Sequence, residues 1–303
     1  MLTAPHTCLA YIEFKAPPLY PEGIAYNDDT GVFYVSSMYL GRIGIVTKAG
    51  KYKPFLETRE MISVVGMHYD STRNRLFACV SDPGFSQKTN KKTQKKLARL
   101  LVIDTKRKKV AKRHELHKLV PEGDHFCNDI AILPNGDAYV TDSFSPVIYK
   151  VPQKGIASVF VRDDRFAGEG FNLNGIVYHP DNYLLVSKYN DGTLWKITLE
   201  STPQITQVTL PKKLEGADGL VFLTNNEVAL VQNGSSDQVH KIRSTDGWSS
   251  ADIVETSEVM PTFPTTAVKN ADGVFVLVSR LNELFGGKAT QKPTHFKINK
   301  LTY

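Results

Sequence analysis

The chain has 303 residues, 41% of them hydrophobic, which is enough apolar material for a full core in one closed β domain. No apolar run approaches the roughly 18 residues that cross a bilayer, so no membrane-spanning helix is expected. The net charge of +6 is local: between Lys88 and Lys118 there are 13 Lys and Arg against Asp104 and Glu115, without an aromatic platform for stacking bases, so no nucleic-acid partner is expected.

In chain order, a short apolar run, Leu9 to Phe14, precedes Pro17-Pro18. The first twenty residues lack a basic segment followed by an apolar core, so no signal peptide is expected; the compartment stays open between the cytoplasm and a mature exported chain without its leader. From Glu22 onward one sentence recurs: EGIAYNDDTGVFYVSS at 22, VGMHYDSTRNRLFACVSD at 65, NDIAILPNGDAYVTDS at 128, NGIVYHPDNYLLVSKYND at 174, DGLVFLTNNEVALVQNG at 218 and an eroded TTAVKNADGVFVLVSR at 265. Each copy is an apolar run, a Gly/Asn/Asp/Pro turn and a second apolar run, which reads as a β-hairpin. Head-to-head spacings are 43, 63, 46, 44 and 47.

A strand-turn-strand period in the forties points to a β-propeller with one blade per repeat. The expectation is therefore an all-β fold, a six-bladed β-propeller with four-stranded blades, spanning 1–303 as one domain. Outer strands are expected at Gly44 to Thr47 and Tyr52 to Phe55, at Leu100 to Asp104 and Val110 to His114, and at the tail, His295 to Leu301. The tail would pair with the N-terminal run and close the ring. The long second spacing marks a basic insertion at about 84–99 in the second blade, read as a solvated segment with charged tips. His114-Glu115-Leu116-His117 lacks HExxH spacing and is not a zinc site. Cys8, Cys79 and Cys127 are read as three buried or half-buried thiols. Asn233-Gly234-Ser235 has the pattern of a glycosylation acceptor, a weak signal.

The first strand of each propeller blade lines the central channel, so the six heads, Glu22, Val65, Asn128, Asn174, Asp218 and Thr265, converge on one ring. Two acids and two amides there are costly to bury unless a cation neutralises them. Oxygen donors alone suit a hard divalent ion, Ca²⁺ first, with Zn²⁺, Mn²⁺ and Mg²⁺ as alternatives. The ends of the second strands would form a rim at the same mouth. From it Tyr39, Asp142, Lys188, Asn233 and Arg280 are the substrate-binding candidates, joined by His125, three residues before Asn128, with a further role as proton shuttle.

Pro21-Glu22-Gly23, Asn128-Asp129, Asn174-Gly175-Ile176 and Asp218-Gly219-Leu220 resemble the senescence marker protein (regucalcin)/gluconolactonase family, whose members are six-bladed propellers. The ordered Glu, Asn, Asn, Asp set also resembles the catalytic calcium site of paraoxonases and diisopropylfluorophosphatase. The resemblance implies Glu22, Asn128, Asn174 and Asp218 as metal ligands, Asp218 as base or nucleophile, and Asn128 as a further catalytic or substrate contact. Paraoxonases carry a His at the second head, where this chain has Val65-Gly66, and an Asp after the first Glu, where it has Gly23.

The function expected is a metal-dependent hydrolase of lactones or related esters, in the class of carboxylic-ester hydrolases, with a small-molecule substrate and a monomeric or dimeric state. The alternatives are an organophosphate or arylester hydrolase on the same ion, a metal-free relative resembling strictosidine synthase, and a non-catalytic calcium-stabilised propeller whose rim and basic insertion bind a partner.

Overall fold

The computed structural model describes residues 10–259, 262–287 and 292–301. The strands form six four-stranded antiparallel sheets arranged as a six-bladed β-propeller. After β1 (Tyr11–Lys15), the first blade is β2 (Ile24–Asn27), β3 (Val32–Ser37), β4 (Arg42–Thr47) and β5 (Tyr52–Leu56). The second is β6 (Ser63–Asp70), β7 (Arg75–Ser81), β8 (Ala98–Asp104) and β9 (Lys109–Glu115). The third is β10 (Cys127–Ile132), β11 (Ala138–Asp142), β12 (Val147–Val151) and β13 (Ser158–Arg162). The fourth is β14 (Leu173–His179), β15 (Tyr183–Lys188), β16 (Thr193–Thr198) and β17 (Ile205–Val208). The fifth is β18 (Ala217–Thr224), β19 (Glu227–Gln232), β20 (Gln238–Arg243) and β21 (Asp252–Glu258). The sixth has β22 (Pro264–Asn270), β23 (Gly273–Val278), a short helix α1 (Leu281–Gly286) and β24 (His295–Leu301).

The repeat turns do what their residues allow. Gly31, Asn74, Gly136, Asn182 and Gly273 sit at or beside the inner hairpin tips with positive φ, where Gly and Asn are least strained. Ring closure follows the expectation: β1 pairs antiparallel with β24, Tyr11 opposite Asn299 through Lys15 opposite His295. Leu9, the start of the expected N-terminal strand, lies outside the described residues, as does Cys8.

Six apolar clusters fill the six clefts between neighbouring blades, including the one that joins Phe14 and Phe296 to Phe33. Each inner strand touches the next, and β22 touches β2. Every junction also carries a buried side chain on a neighbouring backbone carbonyl: Ser63 on Met38, Ser81 on Cys127, Thr141 on Asn174, Ser187 on Asp218, Asn233 on Pro264 and Thr265 on Glu22, at 2.7–3.1 Å. These bonds hold the inner ring in register where the channel side chains are presented.

Two expectations are corrected here. Cys79 and Cys127 are not free thiols; they form a disulfide between β7 and β10, tying the second blade to the third. The insertion between β7 and β8 keeps its exposed lysines, but its neck is tightly held. Asp82 is fully buried and accepts from the hydroxyls of Thr89 and Thr93, both at 2.6 Å, and from the Gly84 amide. Lys88 reaches back to the Gly41 carbonyl and Glu57. Among the described residues no helix is long and apolar enough to cross a membrane.

Candidate functional site

Five inner strands shift register at their heads, between Val64 and Met67, Cys127 and Ile130, Leu173 and Ile176, Ala217 and Leu220, and Pro264 and Ala267. Such bulges re-aim side chains that a regular strand would point elsewhere. The first head lies just before β2, where the Glu22 and Gly23 amides both donate to Ser36 Oγ. The glycine after a head has its own cause. A Cβ on Gly23 would stand 2.3 Å from the Val65 carbonyl, and one on Gly175 2.4 Å from that of Asp218. So the glycine of each pair serves blade-to-blade contact, and the residue before it is free to serve chemistry. Asp129 replaces this glycine in the third blade; its carboxylate accepts from the Ile130 amide and from Ile176 of the next blade.

Glu22, Asn128, Asn174 and Asp218 line one cavity of about 360 Å³, counting the space open at its mouth. All four are buried, at 3–7% exposure. The other two heads are not part of it. Val65 is buried among apolar neighbours, and the Thr265 hydroxyl is spent on the Glu22 carbonyl.

Hydrogen bonds fix how these groups face the cavity. Asn128 Nδ2 donates to Ser143 Oγ at 2.8 Å, and Ser143 donates onward to the Leu173 carbonyl. With its donor end engaged, Asn128 leaves Oδ1 buried and unpaired. Asp218 Oδ2 accepts from Asn233 Nδ2 at 2.6 Å, and Tyr189 Oη donates to Asn233 Oδ1 at 2.7 Å, while Asp218 Oδ1 is unpaired. Glu22 Oε2 is unpaired as well. A buried acceptor without a partner costs about 1–3 kcal/mol, more when charged, so three in one cavity are not a packing accident. Burial pushes the Glu22 carboxyl well above the usual range, and Asp218 and Asp129 nearby push it further. Burial also raises Asp218 well above its ordinary value, against the opposing bond from Asn233.

Two carboxylates and two carboxamides give four hard oxygen donors. That set fits Ca²⁺, Mg²⁺ or Mn²⁺ better than Zn²⁺, which favours His and Cys. Among the described residues no group of three or more His, Cys, Asp or Glu could hold a metal, so the amides are required for this set to bind one.

The rim candidates separate sharply. Asn233 holds Asp218 directly; it is fully buried, so it cannot accept a glycan as it stands. His125 and Asp142 do not line the cavity: His125 Nδ1 lies 2.9 Å from Asp142 Oδ2, both buried behind the wall. Lys188 spends its ammonium on the Arg165 and Ala167 carbonyls and on Asp191. Arg280 is tied to Glu283 of α1, and the Tyr39 hydroxyl accepts from Lys292; neither lines the cavity. The wall that the repeat pattern did not reveal is apolar: Met38, Phe126 and Phe171, then Phe263, Leu281 and Phe285, with Tyr189. A signal existed, because Tyr20, Phe126 and Phe263 each stand two residues before a head, and Phe171 three.

No family model matches the chain, and no curated protein matches it. Solved structures do. The major Malassezia sympodialis allergen Mala s 1 superposes with TM-score 0.76 at 18% identity, covering 96% of both chains. A gluconolactonase of Xanthomonas campestris gives TM-score 0.65 at 13% identity over 97% of this chain and 89% of its own. Virginiamycin B lyase of Staphylococcus aureus gives 0.60 at 12% identity, over 97% and 100%. At such identities these likenesses establish the fold.

Proposed function

We propose that the protein is a metal-dependent hydrolase of lactones or related esters, a distant relative of the gluconolactonase-like propellers, holding one divalent cation, Ca²⁺ first, at the axial cavity. The observation that carries this reading is the convergence of three unpaired buried oxygens, of Glu22, Asn128 and Asp218, beside Asn174. The likeness of fold to a gluconolactonase supports it.

Glu22, Asn128, Asn174 and Asp218 would hold the ion through their side-chain oxygens. When bound, the cation supplies Lewis-acid polarisation of the substrate carbonyl and offsets the two buried carboxylates. Asp218 takes the proton of the attacking water, or attacks the carbonyl itself. Its free oxygen is aimed by Asn233, which Tyr189 and the Pro264 carbonyl hold in place. Asn128 adds an oxygen without adding charge, and Ser143 keeps that oxygen turned inward. The aromatic wall excludes bulk water from the reacting groups.

Metal analysis of the purified chain, followed by a lactone and ester screen with and without chelator, tests this. The expected result is about one ion per chain and hydrolysis that chelation abolishes and Ca²⁺ restores. Metal-free protein with unchanged turnover ends the reading. A panel including arylesters and organophosphates places the substrate within the same site.

A further inference from the structure

The apolar wall above the four oxygens is assembled from chain segments far apart in sequence. Phe126 precedes β10, Phe171 precedes β14, Phe263 precedes β22, and Phe285 lies on α1, while Phe144, after β11, packs against Phe126 and Phe171 without lining the cavity. Their rings touch in series: Phe126 to Phe171 at 5.1 Å, Phe144 to Phe171 at 5.0 Å, Phe171 to Phe285 at 6.3 Å and Phe263 to Phe285 at 6.2 Å. Phe85, from the basic insertion, adds a partly exposed ring 4.9 Å from Phe285. The insertion and α1 thus meet at Phe285 of the wall.

The wall offers almost nothing polar. Its one hydroxyl, on Tyr189, is already committed to Asn233. The remaining polar lining is the set of four axial oxygen-bearing residues. A sugar lactone entering here would bring several hydroxyls and find no free partner above the axial set among the described residues. Each would lose its water without replacement, a penalty on the order of tenfold or more in affinity. An alkyl or aryl substituent would instead bury its surface against four phenylalanines, Phe126, Phe171, Phe263 and Phe285.

We propose that the site takes lactones or esters bearing an apolar chain or ring, and discriminates against polyhydroxylated sugar lactones. This rests on the hydrolase reading for its reaction and on the wall alone for its selectivity, and the test separates the two. Kinetics on the full chain, Ca²⁺-loaded, would compare γ-lactones of increasing alkyl length with glucono-δ-lactone. Calorimetry would measure binding of an alkyl γ-lactam and of gluconolactam, which are not hydrolysed. The expected result is a kcat/KM rising about fourfold per methylene until the cavity is full, with glucono-δ-lactone at least about 100-fold below the best alkyl lactone. Phe171→Ala should flatten that slope. Phe285→Ala, on the short helix α1, should do the same if the first variant folds poorly.

Preference for glucono-δ-lactone, a slope that neither variant changes, or equal binding of the two lactams would overturn the proposal. If no lactone is hydrolysed but the alkyl lactam binds and Phe285→Ala weakens it, the selectivity stands and the hydrolase reading falls. Chelator-sensitive hydrolysis that favours the sugar lactone upholds the hydrolase reading and overturns the selectivity.

Discussion

Asp142, in the third blade, and Asp218, in the fifth, are both buried aspartates at the same mouth of the propeller, and they are opposites. Asp142 is closed: Oδ1 accepts from the amides of Phe126, Phe144 and Ser145, and Oδ2 from His125 and the Tyr149 hydroxyl. Asp218 is open: it lines the cavity, Asn233 engages Oδ2, and Oδ1 is buried with nothing but the Asn174 side chain to satisfy it among the described residues. Burial alone therefore does not mark a functional carboxylate. What sets Asp218 apart is burial with coordination left unmade, a costly state that a bound cation would relieve.

The sharpest way to break this contrast is to neutralise each acid. Asp218→Asn should lower hydrolysis on the order of a thousandfold or more, while the metal-free protein stays as stable or gains stability, since one of two mutually repelling carboxylates is gone. Asp142→Ala should leave five donors stranded and destabilise the fold by about 3–5 kcal/mol. Activity assays and denaturant unfolding on both variants check it. Matching losses in both assays would mean the two aspartates do the same job.

The second test concerns the segment that joins the two regions, Phe126-Cys127-Asn128. Its disulfide to Cys79 closes a loop with a sequence separation of 48. The chain-entropy model gives such a crosslink about 3–4 kcal/mol. Replacing both cysteines with serine should lower stability by that order in denaturant unfolding. It should also weaken metal affinity, because Asn128 follows Cys127 directly.

The third test asks how far Asp218 depends on its support. Asn233→Ala removes the donor to Oδ2 and the tie to the Pro264 carbonyl. The expected loss in kcat is about 10- to 100-fold, with a smaller change in KM, because the residue orients Asp218 rather than touching substrate. Metal affinity by calorimetry should fall less than in Asp218→Asn.

Much of this was legible in the residues alone. The hairpin period, the turn residues and the two chain ends gave the blades and their closure, because those signals are local and repeat. The four axial residues were legible because each opens a repeat. Asn233 was named and does reach Asp218, but Asp142 and Lys188 stand one residue away from the positions that reach the axial groups, for a geometric reason. Side chains alternate along a strand, so a one-residue step changes face. Asp142, Lys188 and Gln232 pair across to Cys127, Leu173 and Ala217. The next residues, Ser143, Tyr189 and Asn233, are the ones that reach the axial groups. The aromatic wall was missed because only part of it follows the repeat: Phe126, Phe171 and Phe263 stand two or three residues before a head, but Met38, Tyr189, Leu281 and Phe285 come from the far ends of second strands and from α1. The disulfide was missed because it links adjacent blades, a contact that cysteine counting does not see.

The mildest test extends the contrast to a third buried polar group. His240 is fully buried; Nε2 lies 2.7 Å from Gln232 Oε1 and Nδ1 3.0 Å from the Thr256 hydroxyl. The amide oxygen can only accept, so Nε2 carries the proton and Nδ1 accepts from Thr256. Protonating the ring would place a charge in this buried setting. Burial pushes its pKa down from 6.5 to about 4, with Lys212 adding to the shift. Between those values the unfolded chain binds a proton that the folded chain does not. The contribution is therefore complete above about pH 6.5 and is lost as pH falls toward 4, and its size is at most about 2 kcal/mol. His240→Gln should flatten this part of a thermal-stability profile measured from pH 4 to 7. Because Gln232 adjoins Asn233, a change in hydrolysis that tracks the same titration would show that this closed group reaches the open one; hydrolysis independent of it would show that the inner ring insulates the site.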